Sequence, residues 1–239
     1  MYFRRRCLSS FNYQKFFTGS KPKKLIVFLH GYNSCIEDLL PSIEGLKNRL
    51  NDTLIITPLA NCVCERNPSK KQWYGLNDVD PLKKRRNIAT SVNDIVDIYN
   101  KTGERISKVS KEINSFVSEI QKEYKIKNKD TYIVGFSQGA MLAIYSGLSR
   151  RYQVGGVFSL AGIISGKDKL KQELRSKPNV YLFHGTSDVF VQYKTLEFTK
   201  KWLDKNKIYW EAFEYEGIEH RLTDEEMSDI VKIIKQEDL

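Results

Sequence analysis

Apolar residues along this chain follow two alternating patterns. Short runs rich in β-branched side chains, at 24–29, 53–57, 131–135, 154–160, 179–183 and 209–215, have the length and composition of strands. Between them, apolar positions recur at steps of three and four. In the segment 104–124, Ile106, Val109, Ile113, Phe116, Val117, Ile120 and Tyr124 trace one stripe of a helix. Similar spacing predicts helices over 37–50, 88–99, 138–149, 193–206 and 223–235. Several strands lack in/out alternation, so both of their faces are covered. Strands of that kind alternating with helices predict an α/β fold with a mostly parallel central sheet and helices on both faces.

The segment 60–86, ANCVCERNPSKKQWYGLNDVDPLKKRR, carries neither period and is dense in turn residues, which predicts a long loop. A solvated loop has little use for the cluster Trp73, Tyr74 and Leu76, and long loops inside compact domains often border binding sites. The rest of the chain shows no repeat, low-complexity tract or interdomain linker. With 239 residues and 41% apolar content it is expected to form one main domain. No run approaches the roughly 18 apolar residues that a membrane span needs, so a soluble, cytoplasmic protein is expected.

Charge divides the chain into two parts. The net charge is +10, and residues 1–24 hold Arg4, Arg5, Arg6, Lys15, Lys21, Lys23 and Lys24 against no acid, a net of +7 that leaves +3 for the remainder. The expected organisation is a basic N-terminal arm, 1–24, solvated or loosely docked, followed by the domain 25–239. Basic residues interleaved with aromatics fit weak contact of the arm with an anionic membrane surface. The near-neutral body gives no reason to expect a nucleic-acid partner, and it leaves monomer and homodimer open. Cys7, Cys35, Cys62 and Cys64 are too few and scattered for a disulfide framework. The Cys62-x-Cys64 pair lacks further ligands nearby to complete a zinc site, so no metal is expected.

The stretch YIVGFSQGAML places Ser137 between Gly135 and Gly139 where a strand pattern gives way to a helix pattern. Three fixed positions recur by chance in roughly one chain in ten of this length, so the motif alone is weak. Its setting is specific, because a G-x-S-x-G nucleophile elbow requires a strand before it and a helix after it. A serine nucleophile needs a base, a group that orients the base, and donors for the developing oxyanion. In such folds the order along the chain is serine, acid, histidine. His30 precedes the serine, and no strand-end acid lies between Ser137 and His184. His220 follows the last strand and is therefore the expected base. Asp188, on the turn after strand 179–183, is the expected acid; Asp168 and Glu173 lie in a charged segment that no strand presents, and Glu219 and Asp224 are merely adjacent to His220. The expected oxyanion donors are the backbone amides of Gln138, directly after the nucleophile, and of Tyr32, after the His30-Gly31 turn. His30 itself is expected to buttress that turn.

These motifs together resemble the carboxylesterase/phospholipase family of α/β-hydrolases, which includes the acyl-protein thioesterases. FLHG, QWYGL, GFSQGA, FHGTSD and YEGIEH occur in the family's order and span most of the chain from Leu25 to His220. The resemblance implies an α/β-hydrolase fold with no large cap domain, no metal or other cofactor, Ser137, Asp188 and His220 as triad, and Tyr32 and Gln138 as oxyanion amides. It places Trp73 beside the acyl-binding region. Val189 and Phe190, directly after the acid, are read either as further lining of that region or as core packing. The segment YNSCIEDL after the HG turn departs from the family's glycine-rich continuation, and the arm and DPLKKRR fall outside the resemblance. The expected function is hydrolysis of small-molecule or lipid-like carboxylic esters or thioesters through an acyl-enzyme. The alternatives are a lysophospholipase or peptidase using the same three residues, or a non-catalytic protein of this fold that binds anionic surfaces through its arm.

Overall fold

The computed structural model describes residues 11–17 and 19–236; Arg4, Arg5, Arg6 and Cys7 lie outside the described residues. The elements in chain order are β1 (Asn12–Phe17), β2 (Lys24–Leu29), α1 (Leu40–Lys47), β3 (Thr53–Leu59), β4 (Cys62–Val63), β5 (Lys71–Gln72), α2 (Val92–Asn100), α3 (Gly103–Tyr124), β6 (Thr131–Phe136), α4 (Gln138–Ser149), β7 (Gly156–Leu160), α5 (Lys167–Glu173), β8 (Asn179–Gly185), α6 (Leu196–Lys205), β9 (Trp210–Tyr215) and α7 (Asp224–Gln236). All six strands expected from the sequence are present.

Those six strands form a continuous parallel ladder within a seven-stranded sheet of order β1-β3-β2-β6-β7-β8-β9. Parallel pairing puts all six C-terminal ends on one rim. The chain leaves β2 to one side to form β3, then crosses back to form β6 on the other side. This reversal opens a crevice between the ends of β2 and β6, the usual place for a ligand in a sheet of this kind.

The uninterrupted apolar runs divide between two cores. Along β2, Leu25, Val27 and Leu29 face a layer formed with α2 to α6, while Ile26 and Phe28 face a layer formed with α1 and α7. The inner strands β2, β3, β6, β7 and β8 therefore bury both faces, which is why their sequences show no polar alternation, whereas the edge strand β9 keeps Glu211 and Glu214 exposed. The sheet with helices on both faces agrees with the sequence pattern.

The seventh strand departs from it. Residues 12–17, read from the sequence as part of a basic arm, pair antiparallel with β3, so the described sheet begins at Asn12. The aromatics among the basic residues hold this strand in place. Phe11 is buried and lies edge-on to Phe116 at 5.8 Å, Tyr13 packs on the same ring at 5.4 Å, and the Lys15 ammonium donates to the Tyr124 hydroxyl at 2.9 Å. Four residues of the helix expected at 88–99 remain outside α2, because Ser91 caps it by accepting the Asp94 amide through its hydroxyl. None of the described helices is long and apolar enough to cross a membrane.

The last helix opens with a capping box. Thr223 donates its amide to Glu226 Oε2 at 2.7 Å, and Glu226 donates its own amide back to the Thr223 hydroxyl at 3.2 Å. Glu226 is only 2% exposed, and burial outweighs the bonds from Thr223 and raises its pKa to about 7. The unfolded chain releases this proton near pH 4.5 and the folded chain keeps it until about 7. Between those values the folded state binds more protons, so its stability falls as pH rises. Glu226→Gln keeps the acceptor and removes the ionisation. Urea unfolding is therefore expected to show the variant more stable than wild type at pH 8, by about 3 kcal/mol, and nearly equal to it at pH 4.

Candidate active site

A single residue, Ser137, separates the end of β6 from the start of α4. Its backbone is bent to φ +56°, ψ −117°, a region that costs a non-glycine residue about 1–3 kcal/mol. Backbone hydrogen bonds hold it there. The Ser137 amide donates to the Leu160 carbonyl of β7 at 2.8 Å, and its own carbonyl accepts the Ala140 and Met141 amides. The turn is so tight that a Cβ on Gly135 would lie 2.1 Å from the Gly139 oxygen, and one on Gly139 would lie 2.2 Å from the Leu29 oxygen. Neither position has room for a side chain. The spacing of the motif is thus a packing requirement.

Parallel strand ends bring two distant loops to this turn. Asp188 follows β8 by three residues and His220 follows β9 by five. The loops are tied together by Ser187 N–H to the Ile218 carbonyl at 3.0 Å and Gly217 N–H to the Thr186 hydroxyl at 2.9 Å. His220 Nδ1 lies 2.7 Å from Asp188 Oδ2, and His220 Nε2 lies 2.9 Å from Ser137 Oγ. A carboxylate can only accept, so Nδ1 carries the proton and Nε2 is free to accept from the serine hydroxyl. The rings of Phe136 and Phe190 pack on the imidazole at 4.8 and 5.4 Å and fix its plane.

Asp188 has a fully buried side chain, and burial by itself opposes its ionisation. Hydrogen bonds from His184 and His220 outweigh burial and hold its carboxyl at about 2. The His220 contact is the shorter, since His184 Nε2 stands 3.5 Å from Oδ2 and donates at 2.8 Å to the Val191 carbonyl. The other carboxylate oxygen accepts the Phe190 and Val191 amides at 2.8 and 3.0 Å. The rival acids are engaged elsewhere. Asp168 pairs with Lys167 and Asn100, and Asp224 with Arg49. Glu173 is more than the solvated charge its sequence implies, because it accepts from the Ser107 and Tyr145 hydroxyls.

The loop after β2 passes directly over the serine. A Cβ on Gly31 would meet Ser137 Cβ at 3.5 Å, which puts the Tyr32 amide one residue beyond that contact. Gln138 is the first residue of α4, so its amide has no intrahelical acceptor. Tyr32 and Gln138 both line the cavity at Ser137, and the positive end of α4 lies beside it.

Behind this loop lies a buried brace. His30 Nε2 accepts the Ala60 amide at 3.1 Å, so its Nδ1 carries the proton and donates to the Gly31 carbonyl at 2.8 Å. Burial lowers its pKa to about 4, which keeps it neutral at pH 7. Trp73 stacks on the His30 ring at 4.9 Å and donates its indole N–H to the His30 carbonyl at 2.7 Å. The Gln138 side chain accepts the Trp73 amide at 2.9 Å and donates to the Tyr74 carbonyl at 2.8 Å. Trp73 is thus buried behind the site and does not line its cavity, in contrast to its expected place beside an acyl group. Sequence reasoning did not find the side-chain role of Gln138 or the support of the acid loop by His184. The neighbouring QWYGL and GFSQG motifs were the available signal for Gln138.

The cavity at the serine holds about 170 Å³; Tyr32, Leu76, Met141, Phe190, Arg66 and Arg86 are among the residues that line it. Phe190 belongs to this lining, whereas Val189 is half exposed and lies outside it. A larger cleft of about 410 Å³ between α3 and the end of α4 contains none of the residues described above except Glu173. Chemistry, rather than volume, locates the site.

Residues 17–237 match the phospholipase/carboxylesterase family. Acyl-protein thioesterase 1 of Candida albicans is 23% identical over 234 residues, covering 91% of this chain and 93% of that protein. Acyl-protein thioesterase 1 of Kluyveromyces lactis is 30% identical over 139 residues, covering 56% and 60%. Among solved structures, esterase PE8 superposes with a TM-score of 0.79 at 24% identity over 95% of this chain and 98% of that one. Acyl-protein thioesterase 2 of Zea mays does so with a TM-score of 0.69 at 18% identity over 95% and 98%.

The brace has a measurable consequence. Gln138→Leu keeps the backbone amide of residue 138 and leaves a buried amide and a buried carbonyl of the loop unpaired. Each is expected to cost about 1–3 kcal/mol, and chemical denaturation should show a loss of about 2–6 kcal/mol with the slope against denaturant unchanged.

Proposed function

Because the chain belongs to the phospholipase/carboxylesterase family, we propose that it hydrolyses carboxylic esters or thioesters through an acyl-enzyme on Ser137. The observation that carries this reading is the continuous hydrogen-bonded relay from Asp188 through His220 to Ser137 Oγ. His220 Nε2 takes the hydroxyl proton as Oγ bonds to the acyl carbon, and Asp188 stabilises the imidazolium that forms. The oxyanion develops at the amides of Gln138 and Tyr32, where the α4 dipole adds to the stabilisation. The imidazolium then protonates the departing alkoxide or thiolate. In the second half His220 removes a proton from water, the hydroxide attacks the acyl carbon, and the proton returns to Ser137 as the acid leaves.

The volume of the cavity, below the several hundred Å³ of a drug-sized site, supports a compact acyl group over a long chain. Leu76, Met141 and Phe190 supply its apolar contacts.

A fluorophosphonate probe is expected to label the wild-type protein and leave Ser137→Ala unlabelled. With p-nitrophenyl esters, Ser137→Ala and His220→Ala should each lose at least about 10³ in kcat, and Asp188→Asn about 10⁴. Butyrate should be turned over faster than palmitate. Labelling that persists in Ser137→Ala rules the mechanism out.

A further inference from the structure

The DPLKKRR segment, which no family motif accounts for, ends at the mouth of the site. Arg85 and Arg86, together with Arg66 from an earlier part of the same loop, line the cavity that holds Ser137 and His220. The three cations are not equivalent. Arg85 is buried and forms an ion pair with Asp80 at 2.6 Å, which balances its charge. Among the described residues, no ion pair involves Arg86 or Arg66. Glu65 forms no ion pair with either: the carboxylate oxygen that faces the cavity residue Tyr32 at 3.4 Å is already engaged by the Leu76 and Asn77 amides at 3.0 and 3.2 Å.

Arg86 is half-buried, with its guanidinium 5.0 Å above the Phe190 ring. Phe190 in turn stacks on the His220 imidazole at 5.4 Å. One aromatic ring thus separates this cation from the proposed base. Burial first, and then the charges of Arg85 and Arg66, depress the pKa of Arg86, as expected for a cation facing like charge without a counterion. A guanidinium held in this way is a fork of donors suited to a carboxylate or phosphate.

We propose that the substrates of this site carry an anionic group, a carboxylate or a phosphate, close to the scissile bond, and that Arg86 with Arg66 receives it while Ser137 attacks the carbonyl. The inference rests on the hydrolase reading above and adds the charge of the substrate to it. The uncharged lining of Leu76, Met141 and Phe190 holds the short hydrocarbon between the anion and the ester.

Two matched substrate pairs distinguish the sources of the anion. The first sets mono-p-nitrophenyl glutarate, with a carboxylate on the acyl side, against p-nitrophenyl butyrate. The second sets a short-chain acylglycerol phosphate, with the phosphate on the alcohol side, against the matching monoacylglycerol. The quantity read is the ratio of kcat/KM within each pair, which cancels any change in the shared chemical step. In wild type at low salt, at least one ratio is expected to favour the anionic member about ten- to hundredfold, mainly through KM, and to shrink as ionic strength rises. Arg86→Gln, and more strongly Arg86→Gln with Arg66→Gln, should bring that ratio close to one, while Arg86→Lys restores part of it.

Ratios near one in both pairs for wild type, or ratios unchanged in the double variant, overturn the proposal while Ser137-dependent turnover of butyrate leaves the hydrolase reading standing. Absence of turnover for all four substrates, together with absence of fluorophosphonate labelling, overturns both.

Discussion

The structure depends on how closely the first turn of α4 approaches the ends of β2 and β6. With only hydrogen atoms available at Gly135 and Gly139, the helix start lies against the Leu29 and His30 carbonyls with no side chain between. Every residue of α4 from Gln138 to Leu148 is buried, so the helix is clamped on all sides and cannot drift to relieve the bend at Ser137. The strained backbone of one residue is therefore held by a large packed surface. In return, the Ser137 hydroxyl and the positive end of α4 meet at one spot on the rim of the sheet.

Electrostatic balance around that spot differs from residue to residue. Asp188 is buried, yet it stays ionised because interactions with His184 and His220 outweigh the cost of burial; two backbone amides also donate to it. Glu226 is buried with fewer donors, and there desolvation prevails. Arg85 meets Asp80 in the interior, while Arg86 meets no acid among the described residues. For the buried Asp188, Glu226 and Arg85 the relevant variable is the number of donors or counter-charges within bonding distance.

The stretch 60–86 shows how irregular backbone can be rigid. Its internal order comes from the antiparallel pairing of β4 with β5 and from side chains: Gln72 Oε1 accepts the Glu65 amide, Glu65 accepts two amides of the loop, and Asp80 accepts the Lys84 and Arg85 amides. Its attachment to the rest comes from Gln138, from the indole of Trp73, and from Gln192 Nε2, which donates to the Arg85 and Asn87 carbonyls. With these anchors the loop forms one wall of the cavity.

Six strands, the main helices and the strand-turn-helix setting of Ser137 were legible in the sequence, and the sequence also pointed to Asp188 and His220, which the fold links to Ser137 by hydrogen bonds. Periodicity is a local property, and the order of loops along a parallel sheet determines which strand ends share a rim. The edge strand at Asn12 was not legible, because its aromatics become meaningful only against Phe116 and Tyr124, about a hundred positions later. The same holds for Trp73, which the sequence assigned to the substrate and the fold turned inward onto His30, and for the Gln138 amide, which meets its partners more than sixty residues away. Which cations of DPLKKRR would be neutralised and which left facing the cavity was likewise settled only in three dimensions. Local sequence determines what each segment can become; the distances between segments arise from close packing, and partners for buried polar groups are assigned only once those distances exist.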